Sequence, residues 1–232
     1  TLSPATLALD SGAYVGQNAS LSVNSPTVTF ADMIVVNSGT LSINANSLTG
    51  TGERARLTNA GATTLNVRDS IALGGGLEVS QGSLSLAPTT LTIGGMVSVQ
   101  QNTALNVNSQ TASFASGISN YGTISITTNS FALGGSVIVN PSTTLTINSQ
   151  TVDLASNITN RGNLSVTANS LTGGENASLT SYGTTTLTVA DRIALGGGLS
   201  VETGSSLTLS PTTLEVGPLS VYADASLTVN SQ

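Results

Sequence analysis

The amino-acid sequence predicts an all-β protein, a right-handed parallel β-helix (β-solenoid) with three sheets and about eleven coils of roughly 19–24 residues. Three observations lead to this prediction. A short motif recurs along the whole chain, apolar residues alternate with polar ones in short segments, and turn-forming residues separate these segments.

The recurring motif is a Leu or Ile flanked by small residues and followed by Val, Ile or Leu, as in TTLTINSQ at 143–150. Its central residue falls at eleven positions: Leu21, Leu41, Leu65, Leu84, Leu105, Ile124, Leu145, Leu164, Leu187, Leu207 and Leu227. Neighbouring copies are 19–24 residues apart. A period near 20 with small irregular additions is typical of a solenoid.

Each period contains three short segments of alternating apolar and polar residues, which is the pattern of strands with one buried face. In the stretch 89–110 the apolar pairs of these segments are Leu91 and Ile93, Val97 and Val99, and Leu105 and Val107. Copies that stack in phase become parallel neighbours about 4.8 Å apart. Parallel crossovers strongly prefer one hand, so we expect right-handed winding.

A longer repeat lies over the short one, because the stretch 46–79 returns as 169–201 with few changes. We interpret 46–110 and 169–232 as related blocks that arose by duplication. We expect residues 1–232 to form a single β-solenoid. The opening TLSP matches TLSP at 208–211, inside a repeat, so we expect the chain to be an internal segment of a longer repetitive protein.

The amino-acid composition argues against several classes of function. The chain has no Cys and no His, so it lacks disulfides, thiolate metal ligands and the commonest general base. Five cationic side chains and a net charge of −6 argue against nucleic-acid binding, which needs clustered cations. The longest apolar runs are about four residues, too short for a membrane span. We therefore expect no cofactor, metal or nucleic acid, and no membrane span in this segment.

Asparagine recurs directly after the second apolar residue of the motif. The predicted corner asparagines are Asn24, Asn44, Asn108, Asn148 and Asn230. Asn tolerates positive φ and bonds its own backbone, so we expect it to turn the chain between two sheets. Stacked Asn side chains can also form ladders. Other residues, among them Arg68 and Ala190, stand at this position in the remaining copies.

The outward positions of the motif predict two columns of small polar side chains. The candidate surface ladder consists of Thr40, Ser42, Thr64, Thr144, Thr146, Thr186, Thr188, Thr208 and Thr228. A Thr array on a β-solenoid resembles ice-binding proteins, and the resemblance implies ice binding as an alternative function. Ser and Asn interrupt the columns and Ala104 breaks one, so the simpler interpretation is an uncharged, strand-favouring solvent face.

A second alternative is a polysaccharide-processing β-helix enzyme. Glu53 and Glu175 align between the two blocks, as do Asp69 and Asp191. Carboxylate pairs can cleave glycosidic bonds even when they are distant in sequence. No cluster of Asp with Lys or Arg is visible, and Lys is absent. We interpret these acids as isolated solvated carboxylates and predict that the protein is not an enzyme.

Turns of the form Asn-x-Gly precede several copies of the motif, in NSGTLSI, NAGATTLNV, NYGTISI and NRGNLSV. With coils of about 19–21 residues, low charge and no Cys, the chain resembles filamentous-haemagglutinin-like exoproteins. These are secreted bacterial adhesins of the two-partner and autotransporter kind. The resemblance covers the whole chain and implies a right-handed β-helix, export to the cell surface, and a role in adhesion, biofilm or a surface fibre.

These observations together predict an extracellular or cell-surface structural and adhesive fibre segment. Neither end of the sequence resembles a capping segment, and the uncapped ends of a solenoid expose unpaired strand edges. We therefore expect further coils, or a second copy stacked end to end, as partners. Cell-surface glycans or other cells are the further expected partners.

Overall fold

A computed structural model describes residues 1–230 of the chain, apart from the side chain of Asn37. Ser231 and Gln232, at the end of the second predicted block, lie outside the described residues. Within the described part every regular element is a β-strand, which confirms the predicted all-β class.

The strands are short except where one continues around a corner of the coil. In chain order they are β1 (Thr6–Leu9), β2 (Ala13–Val15), β3 (Ser20–Asn24), β4 (Thr27–Phe30), β5 (Ile34–Gly50), β6 (Leu57–Leu73), β7 (Leu77–Val79), β8 (Ser83–Leu86), β9 (Thr90–Ile93), β10 (Val97–Val99), β11 (Ala104–Asn108), β12 (Thr111–Phe114) and β13 (Ile118–Asn120). The second half of the chain continues with β14 (Thr123–Leu133), β15 (Val137–Val139), β16 (Thr144–Leu154), β17 (Ile158–Asn160), β18 (Asn163–Gly173), β19 (Ser178–Ser181), β20 (Thr184–Leu195), β21 (Gly198–Val201), β22 (Ser206–Leu209), β23 (Thr213–Val216), β24 (Leu219–Val221) and β25 (Ser226–Val229).

All the strand pairings are parallel, and they form three ladders that we call faces A, B and C. Face A contains β1, β4, β9, β12, β23 and the last four residues of β5, β6, β14, β16, β18 and β20. Face B contains β2, β7, β10, β13, β15, β17, β19, β21, β24 and the first three residues of β5 and β6. Face C contains β3, β8, β11, β22, β25 and the remaining parts of the long strands.

Each coil passes through faces A, B and C in that order, and coil 1 begins at β1. Eleven coils stack in this way, which confirms the predicted parallel β-solenoid. At about 4.8 Å per coil the stack is roughly 50 Å long. The hand of the winding stays the prediction made from the preference of parallel crossovers.

The core is a continuous column of inward aliphatic side chains. Coil 7 supplies two from each face, all at most 2% exposed: Phe131, Leu133, Val137, Val139, Leu145 and Ile147. Phe131 stacks in register on the small side chain of Ala112 in the coil below. The ring of Phe131 meets Phe114 edge to face, with 5.3 Å between the ring centroids.

The predicted alignment of the motif is wrong in coils 3 and 9. Leu41 pairs with Thr63 instead of Leu65, and Leu164 pairs with Thr185 instead of Leu187. Leu65 and Leu187 therefore occupy the second inward position of face C. The two Thr side chains are tolerated inside because they are hydrogen-bonded there: Thr63 Oγ1 donates to Asn59 Oδ1 at 2.6 Å, and the hydroxyls of Thr185 and Ser181 lie 2.9 Å apart.

The two related blocks carry the same structural irregularities. An inward Thr replaces the first aliphatic of face C in coil 3 and in coil 9. The register also shifts by one residue where each of these coils turns from face C to face A. A buried Ala, Ala55 or Ala177, precedes face B in both. These shared features agree with the duplication hypothesis, which stays a prediction.

Because each coil buries its neighbours, one buried charge should disrupt the stack locally. We expect Leu145→Asp, at a fully buried position, to lower the free energy of unfolding by several kcal/mol. Asn106→Asp, which puts the same charge on an exposed outward position of face C, should change it by less than about 0.5 kcal/mol. Urea unfolding followed by circular dichroism measures the free energy of unfolding of both variants. Equal effects of the two substitutions would contradict the conclusion that Leu145 points into the core.

Candidate functional site

The predicted surface ladder lies on face C. The first outward column consists of Ser20, Thr40, Ala62, Ser83, Ala104, Thr123, Thr144, Asn163, Thr184, Ser206 and Ser226. The second consists of Ser22, Ser42, Thr64, Ser85, Asn106, Ser125, Thr146, Ser165, Thr186, Thr208 and Thr228. Neither column contains a charged residue, so face C presents hydroxyls and amides to solvent.

The corrected register moves three predicted ladder residues by one column. Thr64 pairs with Ser42, and Thr186 pairs with Ser165, so both belong to the second column. Thr188 pairs with Thr167, at the position predicted for the corner asparagines. Only coils 7 and 9 carry Thr in both columns, in the corrected register as in the predicted one. A regular two-column Thr array is therefore not present on face C.

The predicted corner asparagines end the face C segments, but they do not turn the chain as expected. Asn44 and Asn148 lie inside the continuous strands β5 and β16. None of the five predicted corner asparagines has a positive φ, so that part of the prediction is wrong. In coils 2, 3 and 6 to 9 the chain passes from face C to face A within one continuous strand, so no residue with positive φ is needed there.

One step of the predicted asparagine ladder is present, with a residue that the sequence alignment missed. Asn66 pairs with Asn44, and its Nδ2 donates a hydrogen bond to Asn44 Oδ1 at 2.7 Å. The sequence alignment places Arg68 at this position, because Arg68 stands three residues after the motif residue Leu65. Arg68 instead lies beside Asp69, with 3.1 Å between Nε and Oδ1.

The chain turns from face B to face C at what we call the B–C corner. Its length varies from coil to coil. Four residues form it in coils 1, 5, 7, 10 and 11, two residues form it in coils 3, 6, 8 and 9, and three residues form it in coils 2 and 4. The alternating repeat spacings of 19 and 21 residues between Leu105 and Leu164 follow from this variation.

The four-residue corners are β-turns whose third residue has positive φ. These third residues are Asn18, Asn102, Ser142, Gly204 and Asp224, with φ between 57° and 72°. In coil 5 the amide of Thr103 donates to the carbonyl of Gln100 at 3.3 Å and closes the turn. The Thr103 hydroxyl lies 2.8 Å from the same carbonyl and 3.1 Å from the carbonyl of Val79 in the coil below. Thr143 and Ser205 make the equivalent contacts in coils 7 and 10.

The two-residue corners follow a buried polar side chain. In coils 3, 6, 8 and 9 the last inward residue of face B is Asn59, Asn120, Asn160 or Ser181, each fully buried. Asn120 Oδ1 accepts from the amide of Gly122 at 3.0 Å, and its Nδ2 donates to the carbonyl of Thr144 at 2.8 Å. In coils with a four-residue corner the same position is Val. In coils 6 and 8 the buried amide thus accepts the hydrogen bond of the corner glycine, whose N–H the short corner leaves without a turn partner.

The second residue of a two-residue corner is glycine for a steric reason. A Cβ on Gly122 would lie 2.4 Å from the carbonyl oxygen of Thr103 and 2.5 Å from that of Gln100. The short corner therefore lies directly on the backbone of the coil below. The Asn-x-Gly sequences mark this close approach in coils 3, 6 and 8.

The acidic residues considered for catalysis lie at different corners of the rod. Glu53 and Glu175 are exposed between faces A and B, whereas Asp69 and Asp191 lie between faces C and A. Arg192 forms an ion pair with Glu215 of the next coil. Among residues 1–230 no three potential metal-ligating side chains come together. The structure does not bring the four candidate acids into one site.

Comparisons with known proteins gave no match to a family model, to a curated protein or to a solved structure. None of the described residues belongs to a helix long and apolar enough to cross a membrane.

The hydrogen bonds of the buried asparagines should contribute to stability. We expect Asn120→Val to lower the free energy of unfolding by about 1–3 kcal/mol, because the amide of Gly122 loses its acceptor in a buried corner. Asn148→Val is the matched control, since Asn148 is exposed, and it should change stability by less than about 0.5 kcal/mol. Denaturant midpoints give both values. An Asn120→Val protein as stable as the unmodified chain would contradict the proposed role of the buried amide.

Proposed function

We propose that this chain is an extracellular structural and adhesive segment of a bacterial surface fibre. The observation that carries the proposal is the continuous parallel pairing of faces A and B through all eleven coils, from β1 and β2 to β23 and β24. A chain of this form is a straight spacer whose side faces repeat the same chemistry at every coil. Localisation, export and adhesive partners are part of the proposal.

The rod suits a load-bearing role because of how its contacts are arranged. Each inner coil pairs its backbone with the coils above and below, and the core continues through the whole stack. Stability is then a sum of nearest-neighbour terms, so further coils lengthen the rod without changing its cross-section. The absence of Cys fits export of an unfolded chain, which disulfides would hinder.

The side faces suit weak, repeated contacts. The face C columns offer hydroxyls and amides without charge, spaced by about 4.8 Å from coil to coil. Single contacts of this kind are weak, but several formed together by one rigid body add to a substantial avidity. The resemblance to filamentous-haemagglutinin-like exoproteins supports the same function, with cell-surface glycans or other cells as partners.

The alternatives have less support. Ice binding requires a regular Thr surface, and coils 7 and 9 alone have Thr in both columns. Polysaccharide cleavage requires converging carboxylates, and the candidate acids lie at separate corners. We therefore do not propose either activity for this chain.

Adhesion under flow tests the proposal. Beads coated with the 232-residue chain should be retained on surfaces coated with cells or cell-surface polysaccharide. The variant Thr186→Val/Thr208→Val/Thr228→Val removes three stacked hydroxyls from face C and should reduce retention several-fold through lost avidity.

The matched control is Thr90→Val/Thr92→Val/Thr111→Val, which removes three exposed hydroxyls from face A. It should leave retention unchanged. Failure of the unmodified chain to hold beads on any of these surfaces would overturn the adhesive part of the proposal.

The proposed fibre also involves end-to-end stacking, in which coil 11 lies on another coil of the same shape. Three inward side chains of coil 11 are exposed, Leu219 at 51%, Val221 at 47% and Val229 at 46%. Their counterparts in coil 10 are at most 3% exposed. A second copy stacked on this end of the rod would bury these aliphatic groups.

We expect the chain to self-associate in a concentration-dependent way, and Val221→Glu to weaken this association because it charges the exposed apolar end. Ser220→Glu places the same charge on the same strand at an outward position and should have a much smaller effect. Sedimentation equilibrium measures both variants. A strictly monomeric chain would contradict end-to-end stacking of copies.

A further inference from the structure

Differences in corner length create a notch on one edge of the rod. The two-residue corner of coil 6 lies between the four-residue turns of coils 5 and 7, which project beyond it on either side. We call this space the coil-6 notch. It has a volume of about 670 Å³, with Gln101 and Asn102 on one wall, Pro141 and Ser142 on the other, and Tyr121 and Gly122 between them.

The notch is well defined because its walls and floor are held by backbone contacts. The hydroxyls of Thr103 and Thr143 lie 2.8 Å from the first carbonyl of their respective turns and reach back to the coil below. Gly122 has no room for a side chain, so the floor cannot be filled from within. The walls are separated by two strand spacings, roughly 10 Å, which leaves space for one ring between them.

The lining has the chemistry of a neutral, hydroxyl-rich ligand. No charged side chain lines the notch. The side-chain amides of Gln101 and Asn102 can both donate and accept hydrogen bonds, as can the hydroxyls of Ser142 and Thr123. Tyr121 is 48% exposed and supplies the one aromatic surface, on which an apolar ring face can stack.

We propose that the coil-6 notch binds a neutral oligosaccharide, with one sugar ring stacked on Tyr121 and its hydroxyls bonded to Gln101, Asn102 and Ser142. This deepens the proposed adhesive function by naming a site and a ligand class, and it rests on that function only for its biological role. Specific recognition then occurs at a corner, and the uniform face C adds weak, repeated contacts.

Tyr182 provides a comparison within the same chain. It occupies the equivalent corner position in coil 9 and is 50% exposed. The neighbouring coil 8 also has a two-residue corner, so no projecting turn rises beside Tyr182 on that side. Arg161 of that coil instead lies with its guanidinium 5.4 Å from the centre of the Tyr182 ring. Tyr182 therefore matches Tyr121 in exposure but lacks the notch.

Calorimetric titration of the full chain with cellotetraose, chitotetraose, maltotetraose and the acidic tetragalacturonate tests the proposal. We expect at least one neutral tetrasaccharide to bind. Tyr121→Ala should weaken it about tenfold or more, since the stacking surface is lost. Asn102→Gly removes an amide while keeping a residue suited to positive φ, and it should weaken binding several-fold. Tyr182→Ala should bind as the unmodified chain does, and thermal unfolding checks that each variant is folded.

The proposal is overturned if no neutral tetrasaccharide binds, if only tetragalacturonate binds, or if Tyr121→Ala has no larger effect than Tyr182→Ala. These results are separate from those on adhesion. Beads that adhere without any tetrasaccharide binding would overturn the notch and leave the adhesive function standing. Tetrasaccharide binding without adhesion would overturn the function and leave the site standing.

Discussion

The structure depends on one constraint, the parallel pairing of each coil's backbone with the coils above and below. Faces A, B and C must keep the same strand positions in every coil, because a residue added within a face would shift all its side chains from inside to outside. Variation in length is therefore confined to the corners. The coils 5 to 8, whose B–C corners alternate between four and two residues, show this directly, since their paired face C strands stay in register.

Each corner length has its own chemistry. A four-residue corner closes its own hydrogen bond, and in coils 5, 7 and 10 a Thr or Ser hydroxyl also ties it to the coil below. A two-residue corner cannot do this, so a buried Asn such as Asn120 supplies the bonds and a glycine allows the close approach. Polar residues in the otherwise aliphatic core are hydrogen-bonded, Asn120 to backbone groups and Thr63 and Thr185 to other inward side chains.

The fold was predictable because alternation and repeat period report directly on strands and stacking. The register of coils 3 and 9 was not predictable in this way. Leu65 and Leu187 fit the sequence motif, but Thr63 and Thr185 occupy the first inward position of face C, which the motif's Leu or Ile fills in the other coils. Exposed asparagines were assigned the turning role that belongs to the B–C corner. A signal for Asn120 was present: it stands two residues after the inward Ile118, where alternation requires another inward residue, and directly before Tyr-Gly. Hydrogen-bond partners in adjacent coils, about 20 residues away, are not visible in such a pattern.

The same constraint suggests where specificity can arise in such a rod. The faces repeat with small changes, so they favour avidity over discrimination between ligands. A corner can gain or lose residues without disturbing the core, and two unequal neighbours then enclose a space of defined shape. Tyr121 and Tyr182 have nearly the same exposure, yet only Tyr121 lies between two projecting turns. The surroundings of the aromatic ring, set by the lengths of the adjacent corners, therefore decide which of the two can hold a ligand.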